Sequence, residues 1–364
     1  MKTKALLAAG LAATSVLALG ACGSSSSGST ASSGSKSSDS GGNQTLAIYA
    51  WAGEIPDSVI DGFEKETGIK VTVDTFDSNE TMIAKLATGK SGYDIVEPSQ
   101  YAVQLMVQRN LLDTIDKSKL EGFDNLNTKF VNPSFDADNA HSLPWAWGTT
   151  GILYNEKCTG GEITSWSDLW DSKYKGKIYM LNNMLSAYIA GLQVQGLSAT
   201  TTSQADIEKA TTKLLEQKPL LAGYNSDNYA DLVGSGDACI AEAYSGTTAA
   251  KAVQANQDVH FIMPSEGGTL WTDSFSIVNG TKNQTAAYQW LNYTLKPEVA
   301  ALLTDDGSLA TANSAALDQI KNEDLAKSPA VYPSDAQLAK AEFIVDPGEA
   351  LTYYQDGWTK VSAS

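Results

Sequence analysis

Between residues 45 and 108 the chain alternates its apolar periods in a way that few architectures can accept. Leu46-Ala47-Ile48-Tyr49-Ala50 reads as a strand. Pro56 then sits where a first helical turn tolerates it, Val59, Ile60 and Phe63 make one apolar face, and Gly68 closes the helix. Residues 69–76 alternate apolar and polar positions as a strand does. Asp77 with Glu80 has the form of a capping box, followed by Met82, Ile83 and Leu86 on a helical face. A strand at 93–96 and a helix at about 101–108 complete the run. Strands separated by helices at this spacing predict a parallel sheet covered by helices, an α/β fold. The pattern resumes with strands at 150–154 and 177–181, helices at about 184–195 and 204–217, and strands at 220–224 and 238–243. Helices at about 226–234 and 245–256 and a strand at 269–278 follow. Tyr288, Leu291 and Leu295 then share a helix face, and a last helix is expected to run to about Val361.

The N-terminus has a different character. Lys2 and Lys4 precede an apolar run that ends in Leu19-Gly20-Ala21-Cys22, the pattern of a signal peptide over 1–21. The L-G-A-C order resembles a bacterial lipobox, which implies cleavage before Cys22 and acylation of that cysteine as the lipid anchor. Residues 22–44 are almost all Ser, Gly, Thr, Ala, Lys and Asp, a flexible tether that cannot bury a core. Nothing after it is apolar enough to span a membrane, so the folded part is expected just outside the cytoplasmic membrane, held by the lipid alone. In that compartment Cys158 and Cys239 are expected to pair, with two free buried thiols as the alternative.

The formal net charge is −17, and Arg109 is the one arginine. Removing the leader takes two further positive charges away. Nucleic acid needs basic surface, and anionic solutes usually want an Arg fork, so cationic or neutral ligands fit better. The two histidines, His141 and His260, have no Cys or carboxylate partners at ligand spacing, so no metal site is expected. No nucleophile elbow, P-loop or dinucleotide fingerprint is present, and neither catalytic residues nor a cofactor is expected.

Roughly 320 residues after the tether exceed what one core usually serves, which predicts two lobes. In α/β lobes, ligands sit at the carboxyl ends of strands. Those positions carry aromatics, hydroxyls and a few acids. In Gly267-Gly268-Thr269-Leu270-Trp271-Thr272-Asp273, a strand would put Trp271 and Asp273 on one face. An aromatic face beside a carboxylate suits an organic ammonium; a core Trp beside a strand-end Asp is the other reading.

Several segments carry a wider similarity: Tyr49-Ala50-Trp51, Ser78-Asn79-Glu80-Thr81-Met82, Tyr93-Asp94-Ile95-Val96-Glu97-Pro98-Ser99, Asn225-Ser226-Asp227-Asn228, and Pro264 through Ser274. On these, the chain resembles the bacterial spermidine/putrescine-binding proteins, the extracellular receptors of polyamine ABC transporters, collinearly from about 45 onward. The resemblance implies a two-lobed periplasmic-binding-protein fold of type II, monomeric, with the ligand cleft between lobes and a permease as partner. Its lobes would be 45–148 with 272–317, and 149–271 with 318–364. It implies ligand contacts at Trp51, Ser99, Tyr101, Ser226, Trp271 and Asp273, with Tyr244 in place of a family Trp.

The departures from the family are specific. Ala52 and Glu54 stand where it has Thr and Tyr, and Glu54 is a candidate replacement carboxylate. Asn183 and Ser186 stand where it has two acids for a second amine, and Leu309 and Ile344 replace a Tyr and a Gln. Short diamines or monocationic amines would then compete well with spermidine, unless Glu54 turns into the cleft. A receptor for a neutral solute such as a sugar is the alternative within the same class; a secreted glycoside hydrolase, using Glu54 and Asp273, is the alternative outside it.

Overall fold

The computed structural model describes residues 45–364, so the leader, Cys22 and the tether lie outside the described residues. The first strands are β1 (Thr45–Trp51), β2 (Lys70–Phe76) and β3 (Ile95–Val96). β1 pairs in parallel with both β2 and β3, as the alternation predicts. The helix Asp57–Thr67 follows Pro56 and buries Val59 and Phe63. It ends at Gly68, whose φ of 74° is a left-handed cap that a side chain would strain. The next helix, Asn79–Leu86, corrects one expectation. Its cap is Ser78, whose Oγ accepts the N–H of Thr81 at 3.2 Å. Ser78 has the extended backbone a cap needs, so the helix begins one residue later than an Asp77 box would place it.

Two long strands form the middle of the molecule. β4 (Leu143–Asn155) is buried along its whole length and begins well before the expected 150. The remaining strands are β5 (Ile178–Met180), β6 (Leu221–Tyr224), β7 (Ile240–Tyr244), β8 (Val259–Ile262), β9 (Gly268–Ile277), β10 (Ala310–Thr311) and β11 (Ala341–Phe343). β9 runs antiparallel to β4, with Trp271 opposite Gly148 and Asp273 opposite Ala146. The far end of β9 pairs with β3, and the far end of β4 pairs with β7 and β8. The order is β2-β1-β3-β9-β4-β7-β5-β6, one curled sheet with β4 and β9 at its centre. On one side of that pair, β1 and β2 are parallel; on the other, β5 pairs in parallel with β6 and β7. The molecule therefore presents two separate sets of strand carboxyl ends, the setting in which ligands bind in α/β folds.

Several helices lie where the periodicity puts them, at Met184–Gln193, Gln204–Gln217, Tyr229–Ser235, Thr247–Ala255 and Leu351–Ala363. In the helix Gln284–Thr294 the buried face is carried by Trp290, Leu291 and Tyr293, while Tyr288 is half-buried and accepts the N–H of Asp116. Cys158 and Cys239 form a disulfide with Cα atoms 5.0 Å apart and a sequence separation of 81. Closing a loop of that size is worth about 3–4 kcal/mol through the unfolded chain.

Candidate functional site

The site begins at the ends of β1 and β3. Trp51 closes β1, and Glu97 follows β3 at once. The Glu97 side chain turns back across the strand end, where its Oε2 accepts the backbone N–H of Trp51 at 3.2 Å. Ser99 comes next, bridged to Asp273 of β9, and its Oγ donates to Asp273 Oδ1 at 2.6 Å. Asn79 braces this corner. Its Oδ1 accepts the N–H of Ser99 at 3.2 Å, and its Nδ2 donates to the Tyr101 hydroxyl at 3.0 Å. Glu54, three residues past β1, has its own carbonyl fixed by the indole N–H of Trp145 at 3.2 Å. Its Oε2 is shielded from water and has no partner.

Three carboxylates thus meet in one place: Glu97 is 0 % exposed, Asp273 4 % exposed, and Glu54 half-buried. Burial, with repulsion from Asp273 and then Glu97, holds Glu54 well above the usual carboxylate range. Burial and repulsion from Asp273 do the same to Glu97, against the opposing Trp51 N–H. Burial pushes Asp273 up to about 7, even though Ser99 and the indole of Trp51 favour its charged form. That indole N–H makes no hydrogen bond of standard geometry. Among the described residues, none of the ion pairs includes any of the three acids.

Buried structural acids in the same molecule look different. Asp94 accepts from the N–H of Ala47, the hydroxyl of Thr281 and the amide of Asn283. Asp136 accepts from the N–H groups of His141 and Ser142 and from the Ser142 hydroxyl. Asp273 has one donor, from Ser99. Glu97 also has one, and its Oε1 is left without a partner. Buried charges are ordinarily paired, and among the described residues no Lys, Arg or His pairs with this cluster. Among the described residues no group of three or more acids, Cys or His is arranged to hold a metal ion.

The aromatic wall is supplied from the centre of the sheet. Trp271 and Asp273 alternate with Thr272, whose hydroxyl donates the other way, to Ala146 O at 2.9 Å. The half-buried Trp271 ring lies over Gly148 on β4, where a Cβ would stand 2.2 Å from Cζ2 of Trp271 and 2.6 Å from Ser245 Oγ. Only a glycine lets the indole lie flat there. On the opposite set of strand ends, Tyr244 closes β7 and its hydroxyl meets Ser186 Oγ at 2.9 Å. Burial raises the Tyr244 phenol, with smaller contributions from Glu242, Tyr229 and Tyr101. Tyr101 stands on the β3 side, in the helix Gln100–Gln108. Glu242, two residues before Tyr244 on the same strand face, is 0 % exposed. Burial pushes it up to about 8, although the N–H of Leu181 binds its Oε2; its Oε1 has no partner.

Of the residues singled out from the sequence, Trp51, Glu54, Ser99, Tyr101 and Asp273 converge in the first cluster, Trp271 walls it, and Ser186 with Tyr244 stands opposite. Asn183 and Ser226 are committed locally. Asn183 is exposed and caps the helix Met184–Gln193 through the N–H of Ser186 at 3.0 Å. Ser226 accepts the N–H of Asn182 at 2.9 Å. Leu309, buried, and Ile344, half-buried, are packed into apolar clusters. Glu97 falls among the strand-end positions where ligands are expected but was given no role; Asn79 and Glu242 were not singled out. An acid at an inward position of an otherwise apolar strand, as in Ile240-Ala241-Glu242-Ala243-Tyr244, is the signal that could have found the last of them.

Comparison with known proteins fits this geometry. The chain is 36% identical over 323 residues to the spermidine/putrescine-binding periplasmic protein of Salmonella typhimurium, covering 88% of this chain and 92% of that one. It is 32% identical over 341 residues to the putrescine-binding periplasmic protein PotF of Escherichia coli, covering 88% and 92%. Among solved structures, a spermidine/putrescine ABC transporter substrate-binding protein of Streptococcus pneumoniae superposes with a TM-score of 0.80 at 31% identity, covering 88% of this chain and 99% of that one. The Tp0655 lipoprotein of Treponema pallidum gives 0.79 at 27% identity, covering 87% and 99%. These neighbours are two-lobed periplasmic binding proteins, and the curled α/β sheet described above is of that fold. The profile of the bacterial extracellular solute-binding proteins matches residues 58–333, and the chain belongs to that family.

Proposed function

We propose that this chain is the solute-binding lipoprotein of an ABC importer that captures a polyamine-like organic cation and hands it to a membrane permease. The observation that carries the reading is the set of buried carboxylates around Asp273, short of donors, with the indoles of Trp51 and Trp271 on the strands that bear them. Taking an ammonium out of water costs several kcal/mol, so a buried counter-ion is required. Aromatic faces add roughly 0.5–2 kcal/mol each where desolvated. The names of the relatives, polyamine-binding proteins of the periplasm, support the same ligand class. On this reading the lobes are 45–148 with 272–317 and 149–271 with 318–364, and the receptor works as a monomer.

The anchor would be the lipid on Cys22, with the chain outside the cytoplasmic membrane. The Cys22→Ser variant should then leave the membrane fraction for the medium, and retention in that fraction would contradict the anchor. The ligand class is tested by thermal denaturation against putrescine, spermidine, choline and neutral sugars. A ligand at 100 times its Kd adds about 2.7 kcal/mol to stability. Stabilisation by the amines alone is the expected result. Stabilisation by a sugar alone would instead make this a receptor for a neutral solute.

A further inference from the structure

One ammonium can neutralise one carboxylate. The corner between β1, β3 and β9 gathers Glu54, Glu97 and Asp273, and a single ammonium would match one of them and leave the others protonated. Two of these acids already have one oxygen fixed: Asp273 by the Ser99 hydroxyl and Glu97 by the Trp51 N–H. Glu97 is wholly buried, keeps its Oε1 without a donor and lies two residues before Ser99, which bridges Asp273. Asp94, a carboxylate serving the fold, has donors on both oxygens, and Asp136 collects three on its Oδ2.

We propose that Glu97 is a specificity-determining residue of the cleft, forming with Asp273 a paired anchor for two positively charged nitrogens at the same end of a polyamine. The pair then favours a triamine, whose secondary amine lies a short alkyl spacer from its terminal amine, over a diamine, whose charges sit at opposite ends. This inference rests on the organic-cation reading above. It also reverses the preference for short amines inferred from the loss of the family's two acids at Asn183 and Ser186: the charge lost there is supplied at Glu97 and Glu54.

The test is titration calorimetry on the purified protein and its Glu97→Gln variant, with spermidine and putrescine in turn. The wild type is expected to bind spermidine at least roughly tenfold more tightly, about 1.4 kcal/mol, and Glu97→Gln to reduce that ratio by a similar factor. Equal losses for both amines, or an unchanged ratio, overturn the role of Glu97 and leave the cation reading standing. Should the variant fail to fold, the wild type still decides, because equal affinity for the two amines contradicts the paired anchor. A wild type that binds neither amine contradicts the cation reading, and this inference with it.

Discussion

Burial and mutual repulsion set the acids at the β1–β3–β9 corner in electrostatic conflict, and on the proposed reading a cationic ligand would resolve it. Asp273 titrates at about 7 in the folded protein, against about 4 for an unfolded aspartate. A raised carboxylate stabilises the fold fully below about pH 4, and that contribution is lost as pH rises through about 7. Glu242, at about 8, acts in the same direction. A bound cation favours the ionised forms, so its effect has the opposite slope. The rise in melting temperature caused by saturating spermidine should therefore be larger near pH 8 than near pH 5. Melting curves with and without ligand at several pH values check this; a shift that shrinks with pH would contradict it. Trp271 and Asp273 were legible in the sequence because strand alternation alone puts them on one face. Glu97 was not, because its position past β3 reads equally well as an exposed loop acid. Its role depends on a turn back over β1 that no local pattern encodes.

At the scale of the element, the pairing of β4 with β9 is what the site stands on. Its register sets Gly148 opposite Trp271, and the missing side chain there is the space the indole occupies. Gly148→Ala would place a methyl 2.2 Å from the ring, and overpacking of this kind costs about 1–3 kcal/mol. We expect that loss in urea denaturation, together with weaker cation binding as Trp271 is pushed out of line. A variant with wild-type affinity would show that the ring position is not set by Gly148. The alternation of strands and helices was legible because each element carries its own period. The true extent of β4 was not: Leu143-Pro144-Trp145-Ala146-Trp147-Gly148 contains a proline and two tryptophans with no polar partner positions to count. Being buried on both faces erases the period-two signal. The stretch between about 112 and 142, built of short 3-10 turns, likewise has no period to read.

For the whole molecule, two sets of strand ends joined by β4 and β9 make a receptor that can close on its ligand. On the proposed reading, a cation held by Asp273 and Tyr101 on one side and by Tyr244 and Ser186 on the other would favour the closed form. Small-angle scattering with and without saturating spermidine should show a more compact particle with ligand, and identical profiles would count against closure. Ligand capture in the proposed receptor depends on Asp273 meeting a positive charge. Breaking a buried pair costs roughly 3–5 kcal/mol, so Asp273→Asn should weaken polyamine binding by about a hundredfold or more. Titration calorimetry of the wild type and Asp273→Asn with spermidine and a neutral sugar measures it directly. The expected result is tight spermidine binding that the substitution removes, with no heat from the sugar; tight sugar binding that survives Asp273→Asn would contradict the cation reading.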